Sequence, residues 1–191
     1  MAIARLRRLI AGMTELVEVR GNSEAAALAP AHALLAELVA QDDWLPAAFA
    51  ASGSDGYRQY LLYGDPLERF SLVSFVWGPG QRTPVHDHLI WGLVGMLRGE
   101  EEATPYTRAP DGTLLAGAPA RLSPGMVAAV SPAHGDIHRV GNALPDRASI
   151  SIHLYGGNIG TIRRHAFDPV NGAARDFVSG YSAAVVPNLW A

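Results

Sequence analysis

A chain of 191 residues, 49% hydrophobic and 17% charged, can bury a sizeable core and is not of disordered composition. A formal net charge of -3 gives no electrostatic reason to expect nucleic acid or an anionic membrane as partner. The absence of cysteine excludes disulfides, thiolate metal ligands and a cysteine nucleophile.

The first residues carry arginines, but Glu15 and Glu18 interrupt any apolar run long enough for secretion, and no stretch approaches a membrane span. The expected location is the cytoplasm. Residues 1–50 read as helical. Leu6, Ile10, Met13, Leu16 and Val17 recur at helical spacing, and EAAALAPAHALLAELVAQ is rich in Ala, Leu and Glu, with Pro30 expected as a break. His32, within that stretch, reads as a surface or packing residue. From about residue 70 the pattern changes to short β-branched or aromatic runs, RFSLVSFVWG, IWGLVGMLRG, MVAAVS and ASISIHLYG, separated by turn residues. Many short strands predict an all-β sandwich or barrel. With no internal repeat or linker, residues 1–191 are expected to form a single domain, mainly β, with the 1–50 helical segment packed on the barrel.

The segment TPVHDHLIWG places His86 and His88 one residue apart. Side chains at i and i+2 of a strand share a face, so two imidazoles so placed can bind one ion. The plainer alternative is a pair of polar positions on a wet strand face. Gly80 lies five intervening residues before His86, and Gly99 follows His88; further on, HGDIHRVGN supplies Gly135, His138 and Asn142. The first pattern resembles the first cupin motif and the second resembles the second, over roughly residues 70–160. That resemblance implies a cupin (jelly-roll) β-barrel with a metal inside. The glutamate that many cupins carry after the second histidine is missing, since Gly92 and Leu93 stand there. The implied ligands are therefore His86, His88 and His138, which leave a divalent ion its full charge and favour an anionic ligand. His134 competes for the third place but lacks the glycine and asparagine spacing of His138.

In SISIHLYGG, Ser151, His153 and Tyr155 alternate with Ile152 and Leu154, so the polar side chains share one strand face. If that face lines the barrel, its members must satisfy one another or a ligand. An outward polar stripe on an edge strand is the alternative. This strand, together with YRQYLLY, FVWGPGQ, PVHDH and IHRVGN, resembles the thiol dioxygenase family, which includes cysteine dioxygenase and 3-mercaptopropionate dioxygenase. The resemblance implies a mononuclear Fe(II) held by three histidines, and a small thiol carboxylate and O2 as partners, converted to a sulfinate. It also implies that Tyr155 presents its hydroxyl to substrate or oxygen, that His153 orients the hydroxyl, and that Ser151 fixes the imidazole.

Gln59 stands where mammalian-type cysteine dioxygenases carry a carboxylate-gripping arginine, and Gly92 takes the place of their tyrosine-linked cysteine. Relatives with that glutamine are similar to 3-mercaptopropionate dioxygenases, whose carboxylate arginine follows the Ser-His-Tyr strand; the matching position here is Arg164. An exposed Arg163–Arg164 pair is the plain alternative, and Arg58 is a reserve. Cysteine dioxygenase proper, a metal-binding cupin without turnover and a three-histidine zinc hydrolase are the competing functions. Homo-oligomerisation is left open by the sequence. Asp87 is expected to point away from the ligands, Glu100–Glu102 to form a solvated strand end, His165 to lie at the surface, and Trp77 and Trp91 to serve packing.

Overall fold

The computed structural model describes residues 3–190. Helix α1 (Ala4–Arg20) buries Leu6, Leu9, Ile10, Met13, Leu16 and Val17. It ends at Gly21, whose φ of 76° and N–H donated to the Val17 carbonyl suit a residue without Cβ. Helix α2 (Glu24–Val39) buries Ala27, Ala31, Leu35, Leu38 and Val39. Pro30 does not break it, contrary to expectation: the helix runs through the proline. The lost backbone bond is outweighed by an apolar stripe that packs on both sides of residue 30. Helicity stops earlier than the 1–50 reading, because residues 40–57 are irregular apart from a short turn at Ala47–Phe49. Trp44 anchors that connection from within the core, donating its indole N–H to the Leu38 carbonyl.

The described strands are β1 (Arg58–Gly64), β2 (Ser71–Trp77), β3 (Val85–His86), β4 (Gly92–Arg98), β5 (Glu101–Arg108), β6 (Leu114–Ala116), β7 (Ala120–Leu122), β8 (Val127–Val130), β9 (His138–Asn142), β10 (Ser149–Tyr155), β11 (Arg164–Phe167) and β12 (Ala174–Phe177). Sheet structure thus starts before residue 70. One sheet runs β1-β2-β10-β4-β8; the other runs β12-β11-β3-β9-β5-β6, with β7 also on β5. The pairings are antiparallel. Residues of both sheets line one enclosed space, so the sheets face each other as the walls of a jelly-roll barrel.

Strand β10 is buried along its whole length and divides its side chains between two interiors. Ile150, Ile152 and Leu154 join the core formed with α1 and α2, together with Leu72 and Val76 of β2 and Leu93 and Leu97 of β4. The opposite face turns into the barrel, where Tyr155 packs with Val73, Phe75, Trp77 and Val140. Period-two alternation therefore accounts for both the apolar seat of the helices and the polar wall of the cavity. Gly95 of β4 lets α2 approach closely, since a Cβ there would sit 2.9 Å from Val39 and 3.0 Å from Leu35. Leu35 is fully buried in this contact. Leu35→Ala should lower the unfolding free energy by about 2–5 kcal/mol, the usual cost of a core cavity. Denaturant titration measures it, and a loss below about 1 kcal/mol would contradict the packing described.

Candidate metal centre

His86 closes the short strand β3 and pairs in register with His138 at the start of β9. His88 lies beyond the strand, so the expected strand spacing holds only for its first member. Leu89 follows at φ 62°. The chain turns there while Asp136 accepts the backbone N–H groups of both His88 and Leu89 on one carboxylate oxygen, at 2.9 and 2.8 Å. The other oxygen lies 2.8 Å from His88 Nδ1. His86 Nδ1 lies 3.1 Å from the Pro84 carbonyl, to which it donates. Both histidines are thereby left with Nε2 free.

One ligand nitrogen from each of His86, His88 and His138 falls within 4.8 Å of the others. Burial, with the neighbouring His88, pushes the His86 imidazole down to about 3 and holds His138 well below its ordinary range. These rings are therefore neutral at pH 7, the state in which imidazole binds a metal. A three-imidazole set with carboxylate and carbonyl partners behind it fits a divalent transition metal. His134 is exposed and lies outside the cluster.

The centre opens on a cavity of about 140 Å³ lined by Tyr57, Gln59, Phe75, Trp77, Tyr155 and Arg164 among others. The polar face of β10 forms a continuous hydrogen-bond chain. Tyr155 Oη lies 2.9 Å from His153 Nδ1, and His153 Nε2 lies 2.8 Å from Ser151 Oγ. Phe75 stacks on the His153 ring at 4.1 Å between centroids. Burial raises the Tyr155 phenol above its ordinary value, so it stays protonated, and holds His153 well below its own. Gly92 pairs with Tyr155 across β4 and β10, and a Cβ at Gly92 would lie 2.7 Å from the phenol ring. A side chain at position 92 would therefore collide with the tyrosine.

Arg164 is the second notable group. Its side chain enters the barrel wall and is 4% exposed. One terminal nitrogen donates to the Ile159 carbonyl and the Ser179 hydroxyl at 3.2 and 2.7 Å, and the guanidinium sits over the Phe177 ring. Its Nε has no partner among the described residues. Gln59 donates to the same Ser179 hydroxyl and to the Gly180 carbonyl. The exposed-pair alternative fits Arg163, which meets Asp176 at 3.6 Å, and not Arg164. Arg58 pairs with Asp55 and does not line the cavity.

Asp87 faces away from the ligands and bonds the backbone N–H and Nδ1 of His165, each at 2.7 Å. His165 is half-buried by that contact. Trp77 does more than pack, because its indole N–H donates to Ser151 Oγ at 3.1 Å. The reading of Glu100–Glu102 as a solvated end needs correction at one position. Glu100 and Glu102 meet Arg121, whereas Glu101 is 2% exposed and accepts a 2.6 Å hydrogen bond from Ser151 Oγ. Alternation on β5 could have singled out Glu101 in a run of three glutamates, but its partner depends on strand order. Asp136, two residues before His138, was also missed; the D-x-H spacing was its only signal.

A jelly-roll barrel with three buried imidazoles gathered inside it is a cupin with a candidate metal centre. More specifically, the chain belongs to the cysteine dioxygenase type I family, which matches residues 31–168. Among solved structures, the chain is similar to an uncharacterized conserved protein with a double-stranded β-helix domain from Klebsiella pneumoniae. The identity is 19% over 60% of this chain and 89% of that one, with a TM-score of 0.45. An RmlC-like cupin protein from Desulfovibrio desulfuricans is 20% identical over 56% of this chain and 88% of its own, with a TM-score of 0.42. No helix among the described residues is long and apolar enough to cross a membrane.

His138→Ala should remove nearly all bound metal, because two neutral ligands hold a divalent ion poorly. His134→Ala should retain it. Elemental analysis of both variants after gel filtration decides the third ligand, and the reverse pattern would overturn the assignment.

Proposed function

We propose that this protein is an Fe(II)-dependent thiol dioxygenase that converts 3-mercaptopropionate and O2 to the sulfinate, acting in the cytoplasm. The observation that carries the reading is the pairing, in one cavity, of a three-histidine centre with a buried guanidinium that no carboxylate among the described residues pairs with. A buried cation without a counterion is costly, and an anionic substrate would remove that cost. Iron(II) held by His86, His88 and His138 would supply the sites at which a thiolate and O2 meet. Arg164 anchors the substrate carboxylate, with Gln59 beside it. Anchoring at one end limits the positions open to the sulfur at the other. Tyr155 directs a neutral hydroxyl at the substrate, held in place by His153 and Ser151. Phe75 and Trp77 keep the wall apolar and reduce access of water.

Cysteine dioxygenase proper is the second reading, favoured by the family match alone. The α-amino group separates the two substrates. An ammonium near a dipositive centre adds repulsion and desolvation unless an acceptor compensates. Gln59 is neutral and supplies no counter-charge; its amide nitrogen, a donor, bonds the Ser179 hydroxyl and the Gly180 carbonyl and cannot accept from an ammonium. The expected order of kcat/KM is therefore 3-mercaptopropionate above cysteine, with cysteamine lowest for want of a carboxylate. Arg164→Ala should cost the two carboxylate substrates about 2–5 kcal/mol and leave cysteamine nearly unchanged. Tyr155→Phe should keep its iron and lose sulfinate yield per O2 consumed. Oxygen uptake with sulfinate quantification across the three thiols tests all of this. A parent that prefers cysteine, or unchanged selectivity without Arg164, contradicts the substrate assignment.

A further inference from the structure

Glu101 is a buried acid that touches the Ser-His-Tyr face and that the reaction just described does not use. It sits at the inner end of the β10 chain, 2.6 Å from Ser151 Oγ, while Trp77 donates to the same hydroxyl oxygen from β2. The order of contacts is Tyr155, His153, Ser151, Glu101, each link within hydrogen-bond range. With His153 neutral, as its burial requires, only one arrangement of hydrogens satisfies every link when Glu101 is a carboxylate. Ser151 must donate to Glu101, so its oxygen accepts from His153 Nε2–H, and His153 Nδ1 accepts from the Tyr155 hydroxyl. A protonated Glu101 satisfies the same links in reverse. Its O–H donates to Ser151, Ser151 donates to Nε2, and Nδ1–H donates to the Tyr155 oxygen. In both arrangements Ser151 still accepts the Trp77 N–H, so neither leaves a buried donor unmet.

The two arrangements differ at the cavity end. In the first, the Tyr155 hydrogen is committed to His153; in the second, it is released to the cavity, because His153 is the side-chain partner of that hydroxyl among the described residues. We propose that Glu101 is a positioning residue whose charge state sets the His153 tautomer and thereby decides whether Tyr155 offers its hydroxyl hydrogen to a ligand in the cavity. This rests on the reading of Tyr155 as the hydroxyl that meets substrate. The proton balance is closed. A proton arriving at Tyr155 is relayed as Tyr155 O–H passes to Nδ1, Nε2–H to Ser151, and the Ser151 hydrogen to Glu101; each hop breaks one bond to hydrogen and forms one. A thiol losing its proton would supply the one that Glu101 stores.

The surroundings of Glu101 suit such a switch. Trp77 faces it from β2, and neutral Ser151 and His153 from β10; its register partner on β9, Asn142, turns its amide to the Trp77, Gly78 and Arg147 carbonyls. Glu100 and Glu102 of its own strand turn to Arg121 of β7. No cation among the described residues holds Glu101 in its charged form. Burial pushes its carboxyl up to about 7, against the smaller pull of the Ser151 and Trp77 hydrogen bonds. Both charge states are therefore reached near neutral pH.

The test is nitrogen NMR of the full chain loaded with Zn(II), a diamagnetic ion, following the His153 ring across about pH 5 to 9. The proton should sit on Nδ1 at the acid end and on Nε2 at the basic end, changing over near 7. Glu101→Gln has no proton to exchange, so whichever way its amide faces, the tautomer should become independent of pH. Ser151→Ala, which severs the link, should do the same. A His153 tautomer that is constant in the parent, or that still shifts in Glu101→Gln, overturns the proposal. Thiol-dependent oxygen uptake by the iron-loaded parent is read separately, and its absence would overturn the dioxygenase reading while leaving a tautomer shift intact.

Discussion

The cost of burying charge organises the interior of this barrel. Three imidazoles gathered within 4.8 Å cannot all be cationic, and burial holds His86 and His138 neutral. Neutral imidazoles must then be aimed, since a neutral ring has one donor and one acceptor nitrogen. Pro84 and Asp136 fix the donor side of His86 and His88, and the acceptor sides are left toward one another. Asp136 also ties down the turn at Leu89, so one carboxylate sets both the backbone path and the ring orientation. Arg164 adds a cation to this interior, stabilised by a carbonyl, a hydroxyl and the Phe177 ring but paired with no anion among the described residues. A cavity with three imidazoles at one part of its wall and a guanidinium at another is matched by an ion and an anion together.

Strand β10 links this interior to the stability of the fold. Its apolar face carries the seat of α1 and α2, and its polar face carries Ser151, His153 and Tyr155. A slip of one residue in its register would put the hydrogen-bond chain into the helix-facing core and the isoleucines into the cavity. Both outcomes are costly, so the register that places Tyr155 against Gly92 is specified from two sides. The tyrosine ring rests on backbone there, and its position needs no covalent tie.

Much of the site was legible because its spacing is local. Glycine-flanked histidine pairs and a period-two polar strand are visible in one dimension, and they led to His86, His88, His138 and the Ser-His-Tyr face. The barrel was legible from its short apolar runs. What escaped depends on which strands become neighbours. Alternation on β5 separates Glu101 from Glu100 and Glu102, but its partner Ser151 is unreadable until the inner face of β5 is set toward β10. Asp136 looks like a turn residue until the chain folds back past His88. Arg163 and Arg164 differ only in the face each takes on entering β11, and family resemblance, not pattern, pointed to the buried one. Pro30 misled because packing on both sides of a proline outweighs one lost backbone bond.

The central claim is that substrate bridges the two charged features of one cavity, its carboxylate on Arg164 and its sulfur at the three-histidine centre. A crystal structure of the iron-loaded protein, prepared without oxygen in 3-mercaptopropionate, tests this most directly. The account predicts a carboxylate paired with the Arg164 guanidinium and a sulfur pointing to His86, His88 and His138. A carboxylate bound elsewhere, with Arg164 still facing only Ile159, Ser179 and Phe177, would contradict it.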